Sequence, residues 1–216
     1  IVNREGVVIL PLIGPVNFLG MTFQEAGNLL TNKVQKELIG TEAILSIRQV
    51  RSIGIYILGE TYKPGRYVMS GLSTVSNALF VSGGVSKNGS LRNIQVRRNN
   101  KIIANYDFYD FLLKGSINSD IALQDGDVIF IPFIENSVIL GGAFKRPYKY
   151  EFLEGETLKD AINLAGGFVS DVLNDPKIEL SSVDRSASER KLTYLDFSVD
   201  LEREIQDGDV INISSI

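Results

Sequence analysis

The stretch Ala122–Pro132 reads ALQDGDVIFIP, and Glu204–Ser214 reads EIQDGDVINIS. Self-similarity of this kind constrains a fold strongly, because it implies one supersecondary unit built twice. Other matches recur in order at nearly the same offset. IYILGETYKPGRYVM (Ile55–Met69) precedes the first copy as SVILGGAFKRPYKYEF (Ser137–Phe152) precedes the second. Leu58-Gly59 falls on Leu140-Gly141, Glu60 on Gly142, Pro64 on Pro147 and Tyr67 on Tyr150, with an insertion placed inside the second copy of this segment. STVSNALFVSGGV (Ser73–Val85) falls on ETLKDAINLAGGF (Glu156–Phe168). The opening phrase is therefore the last strand of a duplicated module.

Each module has readable local chemistry. Two strands flank a turn at Lys63-Pro64-Gly65, where proline fixes φ. Thr74 with Asn77, and Thr157 with Asp160, set an N-cap hydroxyl three residues before a polar partner. Val75, Ala78 and Leu79 share one helical face, as do Leu158, Ala161 and Ile162. Gly83-Gly84 and Gly166-Gly167 stop the helix, with one glycine taking the left-handed conformation. RNIQVRR and PKIELSS alternate as strands, and Asp125-Gly126-Asp127 and Asp207-Gly208-Asp209 turn the chain into the closing strand. Hairpin, helix and further strands make the order of a β-grasp fold.

The first fifty residues differ. GVVILPLIGPVNF predicts two short strands broken at Pro11 and Gly14-Pro15. Thr22 and Glu25 form a capping box, followed by an apolar stripe of Phe23, Ala26, Leu30, Val34 and Leu38. AILSIRQV (Ala43–Val50) alternates and predicts a strand.

Of the 216 residues, 44% are hydrophobic and 22% charged, so a folded chain with more than one small core is expected. With no His and no Cys, the sequence excludes a Ser-His-Asp triad, a thiolate nucleophile, an imidazole or thiolate zinc site and a disulfide framework. A net charge of −4 argues against nucleic acid as a partner. There is no apolar run of eighteen residues and no visible signal peptide. The absence of an initiator Met suggests a piece of a longer protein, with any anchor elsewhere.

At this point REGVVILPLIGPVNFLGMTFQEAGNLLTNKV resembles the polysaccharide-export domain of outer-membrane polysaccharide export proteins. The two repeats resemble soluble-ligand-binding β-grasp (SLBB) domains, with their Gly-Glu, Pro-Gly, Ala-Gly-Gly and Asp-Gly-Asp signatures. The resemblance implies an α+β chain: an export domain over 1–52, a first SLBB domain over 53–134 and a second over 135–216. It implies the periplasmic part of a non-catalytic export channel for capsule or exopolysaccharide, attached to the outer membrane in the full-length protein. The implied partners are the polysaccharide, further copies of the same chain in a ring, an inner-membrane polysaccharide co-polymerase and the outer membrane, reached through segments absent here. No cofactor is implied. A periplasmic module that captures a soluble ligand is the alternative, and a carbohydrate-processing enzyme a weaker one.

Three groups of residues invite sharper readings. The two Asp-Gly-Asp turns offer paired carboxylates, but calcium wants six to eight oxygens, so turn chemistry is preferred. The glycine pairs follow a helix, whereas phosphate loops precede one. Arg92, Arg97, Arg98 and Lys101 form the densest basic stretch, a contact for an acidic glycan or a neighbouring subunit if it is not simply a solvated face. Tyr106, Phe108, Tyr109 and Phe111 are either a sugar-stacking surface or a segment packed on its own domain. Residues 135–216 carry nine basic and sixteen acidic side chains, so like repeats in adjacent copies repel and this chain alone is expected to be monomeric.

Overall fold

The computed structural model describes residues 2–3, 5–47, 49–172, 176–184, 186–187 and 189–214, the side chain of Asp184 excepted. The chain divides into two units, residues 1–50 and 51–216.

In the first unit, Val7–Leu10 (β1) and Gly14–Asn17 (β2) pair antiparallel, and Leu12 in the turn between them takes φ +71°. Helix α1 (Phe23–Glu37) starts where the capping box predicts: the Glu25 amide donates to Thr22 Oγ1, and the Glu25 carboxylate accepts from the Thr22 amide. Ala26, Leu30 and Val34 are buried, while Phe23 at the head of the expected stripe is half exposed. The strand expected over Ala43–Val50 does not form among the described residues. Alternation supplies two faces, but a strand also needs an edge to pair with. β1 and β2 pair with each other and not with this segment, and Ile44 and Ile47 remain exposed.

The second unit contains the duplication as two separate five-stranded sheets. Strands β3 (Ser52–Gly59), β4 (Gly65–Ser70), β5 (Ile94–Arg98), β6 (Lys101–Tyr106) and β7 (Val128–Ile131) take the order β4-β3-β7-β5-β6. Strands β8 (Ser137–Gly142), β9 (Lys149–Glu151), β10 (Lys177–Asp184), β11 (Glu189–Asp196) and β12 (Val210–Ile213) take the order β9-β8-β12-β10-β11. In each sheet the last strand enters the centre, parallel to the first and antiparallel to the third. This is the β-grasp topology. The fold is α+β, with two tandem β-grasp repeats.

Helices α2 (Val75–Val81) and α4 (Leu158–Leu164) cover the sheets, each behind the expected capping box. Both end in a Schellman motif. The Gly84 amide reaches Leu79 O and the Gly83 amide Phe80 O, and Gly167 and Gly166 do the same with Ile162 O and Asn163 O. Both glycines of each pair hold positive φ, between +77° and +88°, where one was expected. Under α2 lie Ile55, Ile57, Ile94, Val96, Ile129 and Ile131; under α4 lie Val138, Leu140, Ile178, Leu180, Ile211 and Ile213. Each such side chain, fully buried, contributes about 1.5–3 kcal/mol, so each repeat has its own core.

The register corrects the sequence alignment by one residue. Ile57 pairs with Ile129, and Leu140 with Ile211, so Leu140 corresponds to buried Ile57 rather than to half-exposed Leu58. Gly142 then corresponds to Gly59, not to Glu60. A strand slipped by one residue would turn its core side chains to solvent, so burial decides the match. Backbone contact agrees: a Cβ at either glycine would lie 2.1 Å from the carbonyl oxygen of Ile131 or Ile213. The β3–β4 connection is also wider than a tight turn, because β3 ends at Gly59 and Thr61 bridges to Val85.

The repeats differ after their third strand. β5 and β6 form a bulged hairpin, and helix α3 (Phe108–Lys114) follows, capped by Asp107 and stopped by Gly115 in the left-handed conformation. β10 and β11 pair over eight residues each, and turns lead on to β12.

Candidate functional site: the closing turns, the basic stretch and the joint between repeats

The Asp-Gly-Asp turns act through their carboxylates on backbone. Asp125 Oδ1 accepts from the Gly54 amide at 2.7 Å, and Asp207 Oδ1 from the Ser137 amide at 2.9 Å. Each thereby ties the closing turn to the start of its repeat's first strand. Gly126 and Gly208 hold φ near +85° between the two aspartates. The second aspartate caps the turn: the Gln124 amide donates to Asp127 Oδ2, and the Gln206 amide to Asp209 Oδ2. These oxygens organise the chain and are not gathered around one point.

The basic stretch is not one surface. The Arg92 side chain is nearly buried; its Nε meets Asp107 at 3.1 Å and its Nη1 meets Glu156 at 2.6 Å. Arg98 makes a two-pronged pair with the fully buried Asp127, at 2.7 and 2.8 Å. Both guanidinium groups gain enough from these carboxylates to hold their protons more firmly than usual, despite the opposing effect of burial. Arg97 lies on the opposite face, over the Phe130 ring at 4.4 Å and bonded to Gln95. It lines a cleft of about 470 Å³ with Asn99, Asn100 and Gly126, and Lys101 nearby is exposed.

The aromatic group divides between two cores. Phe108 and Phe111, three residues apart on α3, stack at 5.5 Å and pack with Tyr106 against the first repeat's core. Tyr109 points elsewhere, into the core of the second repeat, edge-on to Tyr150. Tyr106 and Tyr109 are almost wholly buried, and burial pushes both phenols up to about 12. They are packing residues rather than a stacking platform.

Around Tyr109 the repeats are joined by polar bonds. The Glu151 amide donates to Tyr109 Oη at 3.0 Å. The Glu151 carboxylate is buried in the joint and accepts from Ser90 Oγ and from the Leu91 and Arg92 amides. Burial is the largest influence on this carboxyl and raises its pKa, against the pull of those donors and of the Arg92 charge. Arg92 crosses the same boundary to Glu156 and lies 5.3 Å from the Tyr109 ring centre. Sequence reasoning missed this joint. A hint was available: Glu151 follows Tyr150 where Val68 follows Tyr67, a charge where the first repeat has an apolar residue.

A cleft of about 840 Å³ opens in the second repeat, walled by Phe152, Ser182, Lys191, Glu204 and Gln206. Among the described residues, no helix is long and apolar enough to cross a membrane.

The SLBB domain family matches residues 55–105 and 138–191. Two curated relatives from Escherichia coli, both called polysialic acid transport protein KpsD, are each 27% identical to this chain over 221 aligned residues. The alignments cover 99% of this chain and 38% of each relative, so the chain spans well under half of their length.

Proposed function

We propose that this chain, which resembles the polysaccharide-export proteins that carry tandem SLBB domains, is a periplasmic section of an exporter that passes a capsular or extracellular polysaccharide to the outer membrane. The observation that carries this reading is the extent of the similarity: it runs over 99% of the chain, through the N-terminal unit as well as both SLBB domains, to proteins named for polysialic acid transport. The chemistry is compatible with a scaffold. The carboxylates of the closing turns and of the joint bond backbone amides and arginines. In this reading the chain is non-catalytic and the full-length protein assembles as a homo-oligomeric ring around the passage. Arg97 and Lys101, the members of the basic stretch without a carboxylate partner in the ion pairs described, face an acidic glycan or a neighbouring subunit. An inner-membrane co-polymerase delivers the polymer.

Deletion of the parent gene is the test. Surface polysaccharide should fall while polymer accumulates inside the outer membrane; normal surface display would overturn the reading. Purified chain should leave the average length of capsular polysaccharide unchanged, and reproducible shortening that a point mutation abolishes would show an enzyme instead. The large cleft of the second repeat favours one other reading, a module that captures a soluble ligand. A stoichiometric small molecule in native mass spectrometry would support that alternative.

A further inference from the structure

The closing turn of each repeat buries an aspartate at the same place, and the two are bonded differently. Asp127 has both oxygens engaged, by Arg98 and by the Gln124 amide. Asp209 is 2% exposed. Its Oδ2 accepts from the Gln206 amide at 2.9 Å, while its Oδ1 has no hydrogen-bond partner among the described residues. A buried carboxylate oxygen left unmatched is destabilising, more so when the group is charged.

The register identifies what is missing. Arg97 pairs with Val128 in the first repeat, and Ser181 with Val210 in the second. The next residue along the strand is Arg98 in one and Ser182 in the other, so a short hydroxyl stands where the first repeat sends a guanidinium. Ser182 and Gln206 both line the cleft of about 840 Å³. Ser182, which stands where the first repeat has Arg98, and Gln206, whose amide bonds Asp209 Oδ2, thus both face the cleft, while Asp209 itself is buried. Along the cleft wall Glu154, Glu204 and Asp207 outnumber Lys191 and Arg203, within a repeat that is acidic overall.

We propose that the second repeat receives an arginine side chain from another polypeptide. The guanidinium enters the cleft beside Ser182 and bonds Asp209 as Arg98 bonds Asp127. Arginine fits this role better than lysine because its planar fork matches a carboxylate with two parallel bonds, and because it is less strongly hydrated than an ammonium. Lys191, directly across the strand pair from Ser182, is an intramolecular competitor, while the guanidinium of Arg190 is engaged by Ser181 and by Gly208 O. The point charge of Lys191 cannot supply the same two-pronged geometry. This inference does not depend on the export reading.

The test uses Nα-acetyl-arginine amide as the probe, titrated into the isotopically labelled chain and followed by NMR. We expect saturable shifts at the amides of Ser182, Gln206 and Gly208, with several-fold weaker binding of Nα-acetyl-lysine amide. The variant S182R should place a guanidinium in the site from within. It should abolish the shifts and raise the melting temperature by roughly 2–4 °C. D209N should also abolish binding, and if that variant does not fold, S182R alone decides. Absence of saturable shifts, their persistence in S182R, or an S182R variant no more stable than the parent would overturn the proposal. Sedimentation equilibrium separates the possible donors. Self-association that S182R abolishes makes the donor a second copy of this chain, and a monomer that binds the probe makes it a different protein.

Discussion

In the first repeat, the third strand, β5, ends in Arg97-Arg98, one arginine on each face of the sheet. In the second, the matching strand passes through Ser181-Ser182 and continues into a hairpin of eight residues on each side. Yet the backbones agree in detail. Both helices have the same capping box and the same Schellman ending, and both sheets place a glycine against a carbonyl of the closing strand. Even small features are shared: Tyr67 Oη donates to Lys63 O, and Tyr150 Oη to Arg146 O, each four residues back. Duplication has kept the groups that satisfy backbone donors and acceptors, which the fold needs in every copy. The side chains that match carboxylates have diverged, and with them the environment of one buried aspartate.

The largest expected effect tests the shared part. Gly59→Ala and Gly142→Ala each place a Cβ 2.1 Å from a backbone oxygen at strongly positive φ. Each should cost on the order of 3–5 kcal/mol in urea denaturation. A silent substitution at either site would break the equivalence of the two sheets. Next comes the divergent part. Arg98→Ala strands the buried Asp127 and should cost about 3 kcal/mol, whereas Ser182→Ala should stay within about 0.5 kcal/mol. Comparable losses at both positions would show that Ser182 is already part of a bonded network. Gly84→Val and Gly167→Val, at the helix ends, should each lower stability by roughly 1–3 kcal/mol, read from the denaturation midpoint.

The joint gives smaller effects. Tyr109→Phe removes one hydrogen bond and should cost about 1 kcal/mol. If it instead separates the unfolding of the two repeats into two transitions, the joint depends on that bond more than on packing. The pH dependence of Glu151 is the finest probe. Its folded pKa lies above the ordinary value of 4.5, so the folded state binds its proton more readily than the unfolded chain does. The stability this group contributes is present below about pH 4.5 and is lost as pH rises through the raised value. Acidification from pH 7 should therefore stabilise the wild type relative to Glu151→Gln, measured by denaturation at a series of pH values. A difference independent of pH would remove the assignment.

Much of this architecture was legible because its signals are local. A threonine three residues before Asn77, Asp160 or Glu25 starts a helix, and a glycine pair ends one; both depend on neighbours within a turn. The segment Ala43–Val50 was misread because alternation is local while a pairing edge is not. The bond from Arg98 to Asp127 spans 29 residues, and those from Glu151 to Ser90 and Leu91 span about sixty, so their partners are set by topology. Tyr109 was grouped with Phe108 and Phe111 by composition, but adjacent positions on a helix point in different directions, and here they enter different cores. The one-residue slip at Gly59 arose because Leu-Gly occurs in both copies, and only burial could choose between the registers.

The central position of each closing strand has a consequence for synthesis. β7 lies between β3 and β5, and β12 between β8 and β10, so each sheet must keep a gap until its final segment arrives. On the ribosome, β3 through β6 emerge before the strand that joins them, and loop closure over that distance precedes any gain from pairing. Each repeat is thus translated nearly to its end with two unsealed edges facing one another. The Asp-Gly-Asp turn, tethered to Gly54 in one copy and Ser137 in the other, is where that opening is shut. A nascent chain that has emerged only as far as residue 124 exposes the interior of the first sheet to chaperones, while one that has emerged past residue 134 has every strand of that sheet available to close it.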